Sequence, residues 1–125
     1  MQMAKSDAER LVDRFLGTWE RGDVDEMLAF FADDAVYHNI PLEPAVGIDA
    51  IRAHMSDFLA MMDGGIRPDV HLQLADERLV MNERTDHYEA NGRAVSLPIC
   101  GVFEIEGGRI KRWREYFDMS RFASP

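Results

Sequence analysis

The sequence predicts an α+β fold in which helices cover one face of a curved sheet. Apolar residues recur at helical spacing through the first half of the chain, up to about residue 62. From about residue 70 they alternate with polar residues, as they do in half-buried strands. Asn91-Gly92 and Gly107-Gly108 interrupt the second half where hairpin turns are expected. A strongly curved sheet closed by three helices makes a cone around an apolar pocket, a common place for a ligand.

The first two helices are marked by capping boxes. Ser6 and Glu9 have the spacing at which their side chains cap the first turn of a helix. Gly22 is placed to end that helix, and Asp23 with Glu26 repeats the arrangement for a shorter one. The apolar stripe of the first helix is Leu11, Val12, Phe15, Leu16 and Trp19. The second helix is predicted to carry Met27, Leu28, Phe30 and Phe31.

One short strand and a third helix complete the first half. The stretch DDAVYHNIP indicates a strand that ends at Pro41. PLEPAVG is predicted to be a loop, because two prolines within four residues break regular structure. The third helix begins near Gly47 and ends at Gly64-Gly65. Its apolar stripe is Ile51, Met55, Phe58, Leu59 and Met62.

Four longer antiparallel strands are predicted after the third helix. The first includes the stretch VHLQL from Val70, in which apolar and polar residues alternate. The second spans about residues 78–89, and the last runs from about Arg109 to Asp118. The third lies between the two hairpin turns and carries the apolar series Val95, Leu97, Ile99, Phe103 and Ile105.

Length and composition predict one globular domain, residues 1–125, in a reducing compartment. Hydrophobic residues make up 46% and charged residues 30%, which is typical of a folded chain rather than a disordered one. The formal net charge of -9 disfavours nucleic acids and anionic membranes as partners, because both are negatively charged. Cys100 is the only cysteine, so the chain cannot form a disulfide with itself. The N-terminus has no apolar signal-peptide core and no apolar run is long enough to cross a bilayer, so we expect a cytoplasmic protein.

The last predicted strand places a carboxylate among aromatic side chains. In RIKRWREYFD, Trp113, Glu115 and Phe117 share one face, and the opposite face is polar. The aromatic face is therefore expected to be the inner one, where loss of hydration raises the pKa of Glu115 unless donors compensate. Two interpretations stand: Glu115 is a functional carboxylate in a pocket, or it is structural, at an open rim or paired with an arginine.

The segment NERTDHY has polar side chains on both faces of a strand. If Arg84 and Asp86 point inward, they bring a cation and a second carboxylate to the pocket, and Arg84 bridges Asp86 and Glu115. Three interpretations stay open: a functional site, a structural ion triad in the core, or an outward pair of little energetic value. Periodicity does not separate them, because Leu79 and Met81 make the opposite face of the strand attractive for burial too.

Tyr37 and Asn39 share one face of the short strand and offer a phenol and an amide. Together with a carboxylate they would hold a water molecule from three directions. The alternative is that Asn39 caps a turn before Ile40-Pro41 and that Tyr37 is an ordinary core residue. The four histidines lack the spacing of known metal motifs, so we predict neither a metal nor an organic cofactor.

These segments, in this order, resemble the limonene-1,2-epoxide hydrolase family of the NTF2-like, SnoaL-like superfamily. The resemblance covers about Ala8 to Phe122, and its most specific segments are FADDAVYHNIPLEPAVGIDAI, NERTDHY and LPICGVFEIEGGRIKRWREYFDMSRF. It implies an NTF2-like cone: a strongly curved mixed or antiparallel sheet and three N-terminal helices around an apolar pocket. It also implies a cofactor-free hydrolase that adds water to a small terpene-like or cyclic epoxide in one acid–base step, giving a vicinal diol.

The resemblance implies a role for each polar residue of the site. In that family an arginine and two aspartates form a charged triad in a deep pocket. By motif, Arg84 matches the bridging arginine, Asp86 matches the acid, and Tyr37 and Asn39 match the pair that helps hold the attacking water. The base falls at Glu115, where the family's WRDYFD is WREYFD in this chain. Glutamate keeps the charge but adds a methylene, so the carboxylate reaches further.

The resemblance further implies a pocket lining and a homodimer. The expected lining residues, all apolar except one tyrosine, are Leu16, Trp19, Phe58, Met62, Tyr88, Leu97, Ile99 and Phe117. Superfamily members often pair through the exposed face of the sheet, so we expect a contact that includes Arg112, Arg114 and Tyr116. Two other functions stay open: a SnoaL-like cyclase or isomerase with the same acid–base pair, and a non-catalytic protein that binds small molecules.

Overall fold

Helices and strands follow one another along the chain in the order that the sequence predicts, with two short additions. The computed structural model describes residues 4–123, with side chains for residues 4–121. Residues 1–3 and 124–125 of the predicted domain lie outside the described residues. The described elements are α1 (Asp7–Thr18), α2 (Val24–Leu28), β1 (Phe31–Asn39), β2 (Ala45–Val46), α3 (Ile48–Ala60), β3 (Arg67–Ala75), β4 (Leu79–Ala90), β5 (Arg93–Glu106), β6 (Arg109–Tyr116) and α4 (Met119–Ala123).

The strands form one strongly curved, unclosed sheet in the order β2-β1-β6-β5-β4-β3. The four long strands β3 to β6 pair antiparallel in succession, as predicted. β1 pairs with β6 in parallel, so the sheet is mixed. This pairing places Asn39, at the end of β1, opposite Glu115 near the end of β6. The α+β class predicted from the sequence is confirmed.

An aromatic core joins α1 to the inner face of the sheet. The side chain of Phe15 is fully buried, and its ring packs edge-on against Phe31, Phe103 and Trp113 at centroid distances of 5.4, 6.3 and 5.0 Å. Burying a side chain of this size contributes about 1.5–3 kcal/mol. Phe15 is therefore a principal link between the first helix and the three strands that carry these rings.

Several predicted boundaries are wrong: among them, α2 ends at Leu28, before Phe30, and β1 ends at Asn39 instead of Pro41. Phe31 begins β1 instead of ending the second helix, because its backbone pairs with Ile110 of β6. The predicted loop PLEPAVG contains β2, a strand of two residues that is too short to show a periodicity. β2 forms because its backbone pairs with β1. The last strand ends at Tyr116, and α4 follows it where no helix was expected.

The apolar side chains of β3 face outward. Leu72 and Leu74 are 60% and 70% exposed, whereas Gln73 between them is half-buried. The side-chain amide of Gln73 donates hydrogen bonds to Glu9 and Asp13 of α1, at 2.9 and 3.1 Å. Strand periodicity separates the two faces of β3, but only the position of α1 shows which face is covered.

Candidate active site

The inner face of β4 carries a buried charged cluster. Arg84 is 2% exposed, and its guanidinium binds Asp86 on the same strand and Glu115 on β6. Nε of Arg84 donates to Oδ1 of Asp86 at 2.9 Å, and Nη1 donates to Oε2 of Glu115 at 3.1 Å. Nη2 of Arg84 also donates to Oε1 of Glu115. The interpretation of NERTDHY as an outward ion pair is therefore excluded, whereas the functional and structural interpretations both remain compatible with this geometry.

The cluster places two acids beside one cation where water is scarce. Burial raises the pKa of Glu115, and the Arg84 guanidinium opposes that increase. Burial alone would lower the pKa of Arg84, but the two carboxylates together hold it above its usual range. Arg84 therefore stays charged. Two acids so close together are suited to share one proton, because ionisation of one disfavours ionisation of the other.

Gly101 on β5 leaves the space that the cluster occupies. A Cβ at this position would lie 2.4 Å from Oε2 of Glu115 and 2.7 Å from Nη1 of Arg84. The strand register explains this crowding, since Gly101 pairs with Asn82 on one side and Glu115 on the other. No local sequence signal marks this glycine, because the side chains that require it lie on two other strands.

Asn82 extends the cluster toward α1. Its side chain is 2% exposed; Oδ1 accepts a hydrogen bond from Nη1 of Arg84 at 3.0 Å, and Nδ2 donates to Oε1 of Gln73 at 3.1 Å. Gln73 in turn binds Glu9 and Asp13. Strand periodicity places Asn82 on the same face as Arg84 but predicts no function for it. The structure shows that it supplies an acceptor to the buried guanidinium.

The parallel pairing of β1 with β6 brings Tyr37 and Asn39 to the same site. The ring of Tyr37 stacks on that of Trp113 at a centroid distance of 4.2 Å, and Asn39 lies opposite Glu115 in the register. Burial raises the pKa of Tyr37, although a hydrogen bond with the Asn39 side chain opposes the increase. The phenol is therefore protonated at neutral pH. The backbone carbonyl of Asn39 does accept a turn hydrogen bond from Leu42, at 2.7 Å, but its side chain borders the pocket.

All thirteen predicted site residues border a single pocket. Its volume is about 450 Å³, including the part that is open to solvent. The structure adds Ile66, Pro68 and Trp113 to the lining. Trp19 is 4% exposed, and its indole N–H has no hydrogen-bond acceptor within residues 4–123. The five polar residues therefore lie at the wall of a largely apolar pocket, beside a bulky indole.

The described residues contain neither a metal-binding cluster nor a membrane-spanning helix. Nowhere in residues 4–123 are three His, Cys, Asp or Glu side chains grouped so that they could hold a metal ion. None of the helices in that range has both the length and the apolar character needed to cross a bilayer.

Comparisons with known proteins agree with this fold. The profile of the SnoaL-like domain matches residues 12–113. Epoxide hydrolase EphG of Mycobacterium tuberculosis is 37% identical over 112 residues, which is 86% of this chain and 71% of that protein. The structure of an LEH-like epoxide hydrolase from M. tuberculosis has a TM-score of 0.79 at 32% identity and covers 92% of this chain and 85% of that one. An NTF2-like protein from Anabaena variabilis has a TM-score of 0.80 at 20% identity, over 94% of this chain and 95% of that one.

The chain belongs to the SnoaL-like domain family. Within that family it is a homologue of an epoxide hydrolase, and its fold is the NTF2-like cone that the sequence resemblance implies. The family resemblance is therefore confirmed.

Proposed function

We propose that the protein is a cofactor-free epoxide hydrolase that acts on a small apolar epoxide. The observation that carries the proposal is the buried pair of carboxylates, Asp86 and Glu115, joined by Arg84 at the wall of an apolar pocket. Opening an epoxide requires a proton for the ring oxygen and a base for the attacking water. Two acids that share one proton supply both functions at one pH. The similarity to EphG supports the same reaction type.

In this proposal Asp86 is the acid and Glu115 is the base. Protonated Asp86 gives its proton to the epoxide oxygen as the carbon–oxygen bond breaks, while water attacks the ring carbon and loses a proton to Glu115. The products are a vicinal diol, ionised Asp86 and protonated Glu115, and a proton returns to Asp86 before the next turnover. Arg84 keeps both carboxylates in place.

The pocket lining supports an apolar substrate. The predicted lining residues, which lie on or directly after α1, α3, β4, β5 and β6, give the substrate apolar and aromatic surroundings. Trp19 occupies part of the space with a large rigid ring, so compact cyclic epoxides fit this site better than long-chain ones. Glu115 brings its carboxylate one methylene further into the site than the family's aspartate would.

Asp86→Asn tests the assignment of the acid. Asparagine keeps the shape of the side chain and an acceptor for Arg84 but has no proton to transfer to an epoxide. We expect turnover of a cyclic epoxide such as limonene 1,2-epoxide to fall by about 10²–10⁴-fold. Glu83→Gln, on the exposed outer face of the same strand, is the matched control and should keep the wild-type rate. A folded Asp86→Asn variant with near-normal turnover would exclude Asp86 as the acid.

A single turnover in ¹⁸O-labelled water distinguishes this reaction from its alternatives. Direct attack by water puts the label into the diol, whereas an ester intermediate puts it first into Asp86 or Glu115 and contradicts the proposed base. A substrate with both an epoxide and a hydroxyl group tests the SnoaL-like cyclase reaction. That reaction would yield an unlabelled cyclic ether, because the substrate's own hydroxyl replaces water.

We also propose that the protein forms a homodimer through the outer face of its sheet. The strand register places Leu74, Met81, Val102 and Arg114 side by side across this face, and Leu72 and Tyr116 belong to the neighbouring row. Leu72, Leu74, Met81 and Tyr116 are each at least 46% exposed in the single chain. An apolar surface that spans four strands supports pairing with a second copy.

A further inference from the structure

His54 on α3 lies directly behind the amide of Asn39. Nδ2 of Asn39 is 2.8 Å from Nε2 of His54. The imidazole ring packs edge-on against Tyr37 and Phe58, with centroid distances of 5.2 Å to each. His54 itself does not border the pocket, so it reaches a substrate only through these neighbours. Neither a motif nor the chain spacing of 15 residues connects His54 to Asn39 in the sequence.

The contact couples the tautomer of His54 to the orientation of Asn39, and here the amide nitrogen is the atom that faces the ring. An amide nitrogen is only a donor, so Nε2 of His54 must be the acceptor and the ring proton must lie on Nδ1. When Nδ2 of Asn39 faces His54, Oδ1 faces away from it. We infer that His54 is a positioning residue, which holds the carbonyl oxygen of Asn39 toward the water that Glu115 activates. This inference rests on the proposed hydrolase function.

The orientation matters because the attacking water has only two hydrogens and two lone pairs. In this arrangement the hydrogens of the water bind Glu115 and Oδ1 of Asn39, and one lone pair accepts a hydrogen bond from the hydroxyl group of Tyr37. The second lone pair is then free to attack the epoxide carbon. If the amide of Asn39 were reversed, its NH₂ group would bind that second lone pair. The same water would still be held, but it would no longer be a nucleophile.

Protonation of His54 removes the acceptor that holds this arrangement. A charged imidazole donates from both nitrogens, so Oδ1 of Asn39 is drawn toward His54 and away from the water. The half-buried position lowers the pKa of His54, and the nearby charge of Asp57 on α3 opposes that effect. Two neighbouring elements also carry titratable groups. Tyr37 on β1 packs against the imidazole ring, and Asp25 on α2 forms an ion pair with Arg52 at 2.7 Å. Activity should therefore be present when His54 is neutral and decline as the pH falls through its lowered pKa.

Two substitutions at position 54 separate positioning from packing. His54→Leu keeps a similar volume but has no hydrogen-bond acceptor. We expect kcat to fall about tenfold to a hundredfold with little change in KM, because a misplaced water loses part of the rate enhancement that a general base supplies. His54→Gln offers an acceptor oxygen that does not titrate. The His54→Gln variant should therefore restore most of kcat. Its remaining loss of activity at low pH should be only the part that protonation of the carboxylates causes. His71→Gln, on exposed β3, is the control and should keep the wild-type pH profile.

The inference fails if His54→Leu retains the wild-type kcat, or if His54→Gln keeps the full wild-type loss of activity at low pH. Nuclear magnetic resonance provides a measurement that does not depend on activity. ¹⁵N shifts of the His54 ring should show the Nδ1–H tautomer at neutral pH, and the side-chain NH₂ signals of Asn39 should shift as His54 titrates. An Nε2–H tautomer would overturn the inference even in an active hydrolase. The expected signals without epoxide turnover would instead show that the proposed function is wrong while the amide orientation is right.

Discussion

The two faces of β4 carry similar polar side chains in opposite surroundings. On the inner face Arg84 and Asp86 are almost completely buried, and each has a charged partner. On the outer face Glu83 is exposed, whereas Thr85 and His87 are half-exposed with partners of their own on neighbouring strands. Polar groups without water must find partners in the protein, whereas exposed groups exchange theirs with solvent at little cost. The inner face is therefore where a single substitution has large consequences.

Removal of the inner cation should give the largest effect. Arg84→Leu leaves two buried carboxylates without their counter-ion, and breaking a buried ion pair in this way costs about 3–5 kcal/mol. Arg84 opposes the rise in the pKa of Glu115, so its loss raises that pKa further. When folding raises the pKa of an acid, the folded state loses stability as the pH rises above the pKa that the acid has in the unfolded chain. Urea unfolding should therefore show a deficit that grows from acidic to neutral pH.

Two comparisons sharpen this prediction. Arg67→Leu removes an exposed arginine of β3 and should change the free energy of unfolding by less than about 0.5 kcal/mol. Arg84→Lys keeps the charge but loses the planar fork that binds two carboxylates, so its stability should lie between Arg84→Leu and the wild type. A deficit for Arg84→Leu that did not vary with pH would mean that the carboxylates are not the cause.

Gly101→Ala should have the second-largest effect on stability. The new methyl group meets Glu115 and Arg84 at distances that no folded protein tolerates without movement, and overpacking of this kind costs about 1–3 kcal/mol. Because the displaced groups are the proposed base and its partner, epoxide turnover should fall more steeply than stability. Gly17→Ala on α1 is a useful contrast, since its methyl group has open space and should stabilise the helix by about 0.5–1 kcal/mol. An active, stable Gly101→Ala variant would show that the cluster tolerates displacement.

Much of the fold followed from local patterns, because those patterns report which side chains an element can bury. Helical spacing and the capping box at Ser6 located α1, and the turn at Asn91-Gly92 located the β4–β5 hairpin. Which face of a strand is covered depends on elements that are distant in sequence. The apolar residues Leu79 and Met81 therefore left the direction of NERTDHY open, and both are in fact exposed.

The candidate site was predicted where a motif exists and missed where only tertiary structure creates the contact. Arg84, Asp86 and Glu115 were identified through family motifs, and they do meet in space. Gly101 and His54 act through side chains on other elements, so neither local periodicity nor spacing distinguishes them from any other glycine or histidine. Their importance appears only when the register and the packing of α3 are known.

The outer face should give the smallest effect on the folded chain and test the proposed dimer. Leu74 is 70% exposed, so Leu74→Lys should change the stability of the single chain by no more than about 0.5 kcal/mol. A lysine buried in the contact between two chains must lose its hydration, so the same change should dissociate the dimer. Analytical ultracentrifugation should then show half the wild-type mass, while Met61→Lys, at an exposed apolar position on the C-cap of α3, keeps the dimer. Because the pocket opens on the opposite face of the sheet from Leu74, turnover per chain should survive dissociation. A wild-type monomer, or a dimer that Leu74→Lys leaves intact, would show that this face is not the contact and that its exposed leucines need another explanation.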